Sequence, residues 1–148
     1  MTNFCLTPFG PVSLRDDGQQ ITALVWGEGE AGDSPLQREG LAQLAAWFER
    51  RLVQFDLPLD WGRGLHEKVR RAMAAIPQGE TRSYGEIAKL TGAPAQAVGQ
   101  ACGANPIPII IPCHRVLGAK TLGGFSAPGG VETKVALLRF EGAAGLLI

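Results

Sequence analysis

The amino-acid sequence predicts a small α/β domain followed by a mainly α-helical domain. Two observations predict the first domain: a β-hairpin signal near the start and one long amphipathic pattern after it. The third observation lies further along, where two short helical patterns flank a glycine-containing turn in the form of a helix-turn-helix. An extended connector separates the two halves, so we expect domains at residues 1–60 and 61–148.

The first domain begins with two strand patterns. Residues 12–15 alternate apolar and polar side chains, and residues 21–26 are rich in strand-forming residues. An Asp-Gly pair at 17–18 favours a tight hairpin turn between them. A Ser-Pro pair at 34–35 marks a helix start, and apolar residues at helical spacing predict a helix over residues 35 to about 54. Nothing in this half suggests catalysis, so we interpret it as a structural scaffold.

Four helices are predicted in the second domain, over residues 65–76, 84–90, 94–104 and 133–141. Ser83 and Glu86 form a capping box at the start of the second of these helices. The second and third helices make the helix-turn-helix pattern, which an ordinary αα-corner explains equally well.

The helix predicted over residues 94–104 carries no charge and almost no bulk. Ala95, Gly99 and Cys102 recur along it at helical spacing. Side chains this small allow a backbone to come very close to another surface, such as the narrow minor groove of DNA. Close packing between helices selects the same residues, so the pattern alone leaves both explanations open.

Composition excludes several classes of protein. Three cysteines without a CxxC pair argue against a disulfide framework and against a cysteine zinc site. No apolar run approaches the roughly 20 residues that span a membrane, and the N-terminus lacks a signal-like pattern, so we expect a cytoplasmic protein. Residues 1–60 contain four basic and nine acidic residues, against ten and five in residues 61–148. This asymmetry suggests that the second half meets a polyanion.

The strongest chemical signal follows a run of isoleucines. Residues 107–111 predict a buried strand, and Pro112 stops it just before Cys113, His114 and Arg115. The thiolate form of cysteine is a nucleophile, and an adjacent imidazole or positive charge favours it. Cys113 is therefore a candidate nucleophile, although most free cysteines are simply small buried side chains.

A glycine-rich segment at residues 117–130 has Phe125 and Ser126 near its centre. It matches neither a P-loop nor a dinucleotide-binding fingerprint, so it is a poor phosphate cradle. We expect it to wall a pocket with an aromatic ring and backbone N–H groups.

Taken together, these residues resemble the O6-alkylguanine-DNA alkyltransferase family. Residues 112–116, Pro-Cys-His-Arg-Val, resemble its active-site motif, and residues 79–88 and 97–99 resemble its two DNA-binding helices. The resemblance extends closely from about Leu65 to Gly142. Its other elements are Asn105-Pro106, the Gly-Phe-Ser loop, Lys134 and Glu141-Gly142.

The resemblance implies both a fold and a reaction. The expected fold is an N-terminal RNase H-like α/β domain with a mainly α C-terminal domain that contains a winged-helix-like helix-turn-helix. The expected reaction is DNA repair in which Cys113 takes an alkyl group from O6 of guanine, or O4 of thymine, and is not regenerated. The implied protein is a monomer that uses no metal or cofactor and enters double-stranded DNA from the minor groove, with the alkylated base flipped out.

The resemblance also implies roles for individual residues. His114 acts as the base toward Cys113 through a water, Glu141 orients the imidazole, and Asn105 fixes the turn that presents the thiol. Tyr84 assists base rotation and donates to a ring nitrogen of the leaving guanine. The other residues implied in substrate or DNA contacts are Ala95, Gln96, Gly99, Arg115, Val116, Phe125, Ser126 and Lys134.

One departure from the family pattern bears directly on DNA binding. Gln96 stands where the family inserts an arginine into the base stack, and glutamine lacks its charge. The alternative functions are a binding protein that signals alkylation damage, a cysteine hydrolase or transferase for small molecules, and a transcription regulator. The retained Cys113 argues against a protein that only signals damage. The helix-turn-helix pattern argues against a small-molecule hydrolase or transferase, and the lack of a separate sensor domain argues against a transcription regulator.

Overall fold

The computed structural model describes residues 4–29, 32–118, 122–125 and 127–143. The chain divides into two compact units, Met1–Asp60 and Trp61–Ile148. Secondary structure is mixed α/β, with strands in both units and most helices in the second. Within the described ranges, no helix combines the length and apolar character needed to cross a bilayer.

The first unit contains an antiparallel sheet of three strands in the order β1-β2-β3, formed by Cys5–Thr7, Gly10–Asp16 and Ile21–Trp26. β2 and β3 form the predicted hairpin. The Asp17 carboxylate closes its turn by accepting the N–H groups of Gln19 and Gln20 at 2.9 and 2.8 Å. The short edge strand β1 was not predicted, because three residues carry too little pattern to detect.

Helix α1, Pro35–Phe48, packs on the sheet. Its start is the predicted one: the Ser34 hydroxyl accepts the Gln37 N–H, and the Gln37 side chain accepts the Ser34 N–H, both at 3.0 Å. Its end comes earlier than the predicted residue 54, because the chain leaves the helix and Arg50 takes a left-handed φ of 62°. Apolar spacing continues beyond that point, which explains the overestimate.

The second unit contains helices α2 (Gly64–Ala74), α3 (Tyr84–Thr91), α4 (Ala95–Gly103) and α5 (Val131–Glu141). Helices α2, α3 and α4 pack against one another around a core of apolar side chains that includes Val69, Met73, Ile87, Val98 and Ala101. Strand β4, Arg82–Ser83, pairs in parallel with β5, Val116–Leu117. This pairing brings the start of α3 beside the segment that follows Cys113.

The predicted strand over residues 107–111 is wrong: these isoleucines form a buried, irregular turn. Asn105 supplies the hydrogen bonds that a neighbouring strand would otherwise make. Its Nδ2 donates to the Ile111 carbonyl at 2.9 Å, and its Oδ1 accepts the Ile107 N–H at 3.1 Å. Pro108 lacks an N–H for a sheet ladder. The apolar content of residues 107–111 therefore predicted correctly that the segment is buried, but it did not predict the backbone conformation.

A close helix–sheet contact in the first unit generates a stability prediction. A Cβ atom added at Gly40 would overlap Cδ1 of the buried Leu14. Gly40→Ala should therefore lower the free energy of unfolding by roughly 1–3 kcal/mol, as overpacking does. In a Leu14→Ala background the overlap is absent, and the same change should stabilise by about 0.5–1 kcal/mol through helix propensity. Urea unfolding of the four proteins measures both effects, and an equal loss in both backgrounds contradicts the packing argument.

Candidate active site

A cavity of about 190 Å³ lies in the second unit, with Cys113 in its wall. Helix α3 contributes Tyr84, which is its first residue, and the glycine-rich segment contributes Gly124 and Phe125. The remaining wall comes from α4 and the turn after it: Gly99, Cys102, Gly103, Asn105 and Pro108. The Cys113 thiol is partly exposed, whereas Cys5 and Cys102 are buried. Cys113 is thus the cysteine most open to a ligand.

Local backbone bonds fix the position of Cys113. It opens a single 3₁₀ turn, Cys113–Arg115, and its N–H donates to the Ile111 carbonyl at 2.8 Å. Asn105 holds that same carbonyl from its other side. Just upstream, Ile109 has a φ of 71°, which is rare for a β-branched residue. The Asn105 clamp and the burial of the isoleucines hold this strained segment in place.

His114, the residue after Cys113, forms a buried pair with Glu141. Nε2 of His114 lies 2.6 Å from Oε1 of Glu141, and neither side chain is exposed. Burial lowers the pKa of the imidazole and outweighs the opposing carboxylate, so His114 is neutral near neutral pH. Burial would raise the pKa of Glu141, but bonds to His114 and Arg115 hold it below its usual range. Nδ1 of His114 has no protein hydrogen-bond partner in the described part of the chain.

The guanidinium of Arg115 points into the protein, where it completes the same network. Its Nε lies 3.0 Å from both carboxylate oxygens of Glu141, and its Nη2 lies 2.7 Å from Oε1. Its Nη1 donates to the Ile76 carbonyl at 2.7 Å. These bonds engage Arg115 in the interior, in place of the substrate or DNA contact that the resemblance implied. The Arg115 guanidinium therefore bonds both oxygens of the Glu141 carboxylate.

Lys134 is also buried, in contrast to an expected contact with DNA or substrate. Its ammonium donates to the Val116 carbonyl at 2.7 Å and to the Gly124 carbonyl at 3.3 Å, and it lies 5.9 Å from the Tyr84 ring centre. Burial raises the pKa of the Cys113 thiol, while a hydrogen bond from Asn105 and the charge of Lys134 oppose that rise. Lys134 is therefore a fixed positive charge that favours the thiolate.

Tyr84 stands in the cavity wall as a protonated donor. Burial raises its pKa, and nearby thiolates raise it further, so the phenol keeps its proton at neutral pH. A Cβ atom at Gly123 would lie 2.6 Å from the Tyr84 hydroxyl, and Gly123 has a φ of 74°, so glycine is required there. Phe125 lines the cavity as predicted. The predicted backbone donor, Ser126, lies outside the described residues.

Helix α4 carries small residues on both its exposed and its buried side. Ala95 and Gln96 are exposed, whereas Val98 and Ala101 face the core. A Cβ atom at Gly99 would meet no atom within 4 Å, so contacts within the protein do not require glycine at this position. Helix packing therefore does not account for Gly99, which is half-buried and lines the cavity.

The candidate site predicted from sequence omitted four cavity residues, Cys102, Gly103, Pro108 and Gly124. Cys102 was noted only as a small side chain, and Pro108 only as part of the isoleucine run, yet both line the cavity. The i, i+3 spacing of Gly99 and Cys102 was the available signal for Cys102. Among the described residues, no group of three or more His, Cys, Asp or Glu side chains is arranged to hold a metal ion.

Comparison with known proteins identifies the family. A family model described as the DNA-binding domain of 6-O-methylguanine DNA methyltransferase matches residues 64–143. The chain is 43% identical over 147 residues to the methylated-DNA–protein-cysteine methyltransferase of Mycobacterium tuberculosis H37Rv, covering 91% of this chain and 88% of that protein. The chain belongs to the O6-methylguanine DNA methyltransferase family. This result confirms the family predicted from the Pro-Cys-His-Arg-Val motif.

Other family members extend the match. The methylated-DNA–protein-cysteine methyltransferase of Methanosarcina acetivorans is 40% identical over 150 residues, covering 93% of this chain and 95% of that protein. The crystal structure of M. tuberculosis OGT in complex with DNA matches with a TM-score of 0.81 and 41% identity, over 97% of this chain and 95% of that one. An O6-methylguanine DNA methyltransferase from Methanococcus jannaschii, at 24% identity and a TM-score of 0.61, shares the fold.

The buried network generates a stability prediction. Glu141→Gln removes the only charge that Arg115 contacts in its described hydrogen bonds. Breaking a buried ion pair by removing one partner costs about 3–5 kcal/mol, and we expect a loss of that size. Glu132→Gln is the matched control, because Glu132 is exposed in the first turn of the same helix. Its loss should stay below about 1 kcal/mol. Denaturant unfolding measures the loss of stability in both variants. Similar losses contradict the argument that the Glu141–Arg115 pair stabilises the fold.

Proposed function

We propose that this protein repairs alkylated DNA by moving an alkyl group from O6 of guanine, or O4 of thymine, to the sulfur of Cys113. One observation carries the proposal: Cys113 lines a cavity, and His114, the next residue in the chain, is buried and paired with Glu141. A nucleophile, a base and a group that orients the base are the components of nucleophilic catalysis. The names of the M. tuberculosis and M. acetivorans relatives support the same reaction.

The reaction is a single displacement at the alkyl carbon. The Cys113 thiolate forms a sulfur–carbon bond as the bond between that carbon and O6 breaks. The electron pair of the broken bond stays on O6, so guanine leaves as an anion and must gain a proton. The product thioether has no route back to the thiol, so each molecule acts once. The chemistry needs no metal or cofactor, because the thiolate and the leaving base supply every electron.

Three buried groups assist the thiolate. His114 is neutral, so it can accept the Cys113 proton, and its unpartnered Nδ1 is the atom we assign to take it through a water. Glu141 holds the ring and stabilises the imidazolium that forms. The charge of the buried Lys134 ammonium lowers the free energy of the Cys113 thiolate.

Other groups of the site serve the leaving base. The Tyr84 hydroxyl is protonated and donates to a ring nitrogen as guanine becomes anionic. The carbonyls of Cys113 and Val116 receive the exocyclic amine. The Val116 oxygen already accepts from Lys134, and a carbonyl oxygen has a second lone pair for this contact. The backbone N–H of Ser126 is assigned to the neighbourhood of O6.

DNA binds to the helix pair α3–α4, which we interpret as a winged-helix-like helix-turn-helix. A damaged base inside a duplex cannot reach the cavity, so it must be flipped out. The exposed Ala95 and the half-buried Gly99 of α4 are small enough for close approach to the minor groove. The first unit is assigned an RNase H-like scaffold role.

The test uses duplex DNA that carries O6-methylguanine. Tryptic cleavage after Lys89 and Arg115 releases Cys113 within a single peptide, residues 90–115. We expect that peptide to gain one methyl group in place of a hydrogen, with fragmentation locating it on Cys113 and guanine restored in the DNA. Cys113→Ser should show neither change. Tight DNA binding with an unmodified Cys113 contradicts transfer and favours a protein that signals damage.

Gln96 yields a second prediction. Arginine at this position adds a charge-assisted contact within the opened base stack, so Gln96→Arg should raise the rate on duplex relative to single-stranded substrate by roughly tenfold, equivalent to about 1.4 kcal/mol. Gln100→Arg is the matched control, because it adds the same charge one turn along the exposed surface of α4. The control should leave the duplex-to-single-strand ratio unchanged. Equal ratios in both variants and the unmodified protein mean that Gln96 does not limit base flipping.

A further inference from the structure

The cavity contains a second thiol that the transfer mechanism does not use. Cys102 lies in α4, is 6% exposed and lines the same cavity as Cys113. Both cysteines are free thiols. The third cysteine, Cys5, lies in the other unit and takes no part in this cavity as described. Two thiols facing one small space call for a chemical explanation.

A single residue links the two cysteines. The Cys102 carbonyl accepts the Asn105 N–H at 3.2 Å, and the Asn105 side chain lowers the pKa of the Cys113 thiol against the rise from burial. The Lys134 ammonium interacts electrostatically with both thiolates. The cavity itself is only about 190 Å³. These contacts fix both thiols around one asparagine, one lysine and one shared space.

We infer that Cys102 is a resolving thiol, which forms a reversible disulfide with Cys113 when a peroxide oxidises the nucleophile. In the first step the Cys113 thiolate attacks hydrogen peroxide, the O–O bond breaks, and Cys113 sulfenic acid and hydroxide form. In the second step the Cys102 sulfur attacks the sulfenic sulfur, and the S–O bond breaks with release of water. Two thiols lose two hydrogen atoms, and one peroxide becomes two waters.

The electrostatics of the cavity set the order of these steps. Burial raises the pKa of Cys102 to about 12, and the Cys113 thiolate contributes to that rise. Cys113 has the Asn105 hydrogen bond as well as Lys134 to favour its thiolate, so it meets peroxide first. Once Cys113 is a neutral sulfenic acid, its charge no longer opposes ionisation of Cys102. Burial, the larger cause of the raised pKa, remains, and Lys134 favours the Cys102 thiolate against it for the attack on the sulfenic acid.

The disulfide has a clear consequence for a single-use acceptor. It occupies the Cys113 sulfur, so alkyl transfer stops while the bond is present. It also stops further oxidation to the sulfinic acid, which is irreversible for an ordinary protein. A thiol reductant restores both cysteines. Oxidation then suspends the protein without destroying it.

The test treats the full-length reduced protein with hydrogen peroxide and then blocks remaining thiols with an alkylating agent. The tryptic peptide of residues 90–115 contains both cysteines, so an internal disulfide lowers its mass by two hydrogens and leaves it unblocked. Dithiothreitol before blocking should return a peptide that takes two blocking groups. A peptide with two blocked thiols after peroxide, or with Cys113 carried to the sulfinic acid, overturns the proposal. This mass readout does not depend on alkyl transfer, so it stands apart from the proposed function.

Substitutions at Cys102 and at Cys5 test whether the protection of Cys113 depends on Cys102. In Cys102→Ser, and in Cys102→Ala if the serine variant does not fold, peroxide should drive Cys113 to the sulfinic acid. The amount of Cys113 that dithiothreitol returns to the free thiol is measured relative to an untreated sample of the same variant. This fraction should be at least tenfold lower than in the unmodified protein. Cys5→Ser is the matched control and should behave like the unmodified protein. Equal recovery in the Cys102 and Cys5 variants overturns the proposal.

Discussion

The Glu141 carboxylate is the group on which the rest of the site depends. It bonds His114 at 2.6 Å and Arg115 at 2.7–3.0 Å, and Arg115 continues to the Ile76 carbonyl beyond the end of α2. A buried charge is tolerated only when it is paired and hydrogen-bonded. Here the Glu141 carboxylate accepts hydrogen bonds from both His114 and Arg115, the two residues that follow Cys113. The 3₁₀ turn with Cys113 is thereby tied to α5 and to the end of α2. One carboxylate thus orients the imidazole and anchors the turn.

The irregular turn before Cys113 is the second constraint. A strand would need a partner for its backbone groups, and in this segment the Asn105 side chain takes that place. Burial of the isoleucines holds Ile109 in a backbone conformation that its side chain disfavours. The result is a thiol presented at a cavity by a rigid segment. The same rigidity keeps Cys102 and Cys113 on one small space, so alkyl acceptance and oxidation chemistry share a geometry.

The sequence by itself determined the features that rest on local chemistry. Capping residues placed the starts of α1 and α3 correctly, because Ser34 and Ser83 bond backbone groups only three residues away. The Asp-Gly turn identified the β2–β3 hairpin for the same reason. The motif around Cys113 identified the family, and the pairing of His114 with Glu141, implied by that resemblance, matches the hydrogen bond in the structure.

Only the tertiary structure decided which polar side chains are buried and what they contact. Arg115 and Lys134 are residue types that often contact DNA. In the folded chain both donate hydrogen bonds inside the protein instead, Arg115 to Glu141 and Lys134 to the Val116 carbonyl. Cys102 became a cavity residue in the same way. Periodicity reports which face of an element is apolar, whereas hydrogen-bond partners 18 to 39 residues apart are set by packing between elements. That is why the sequence identified the nucleophile and the fold supplied its surroundings.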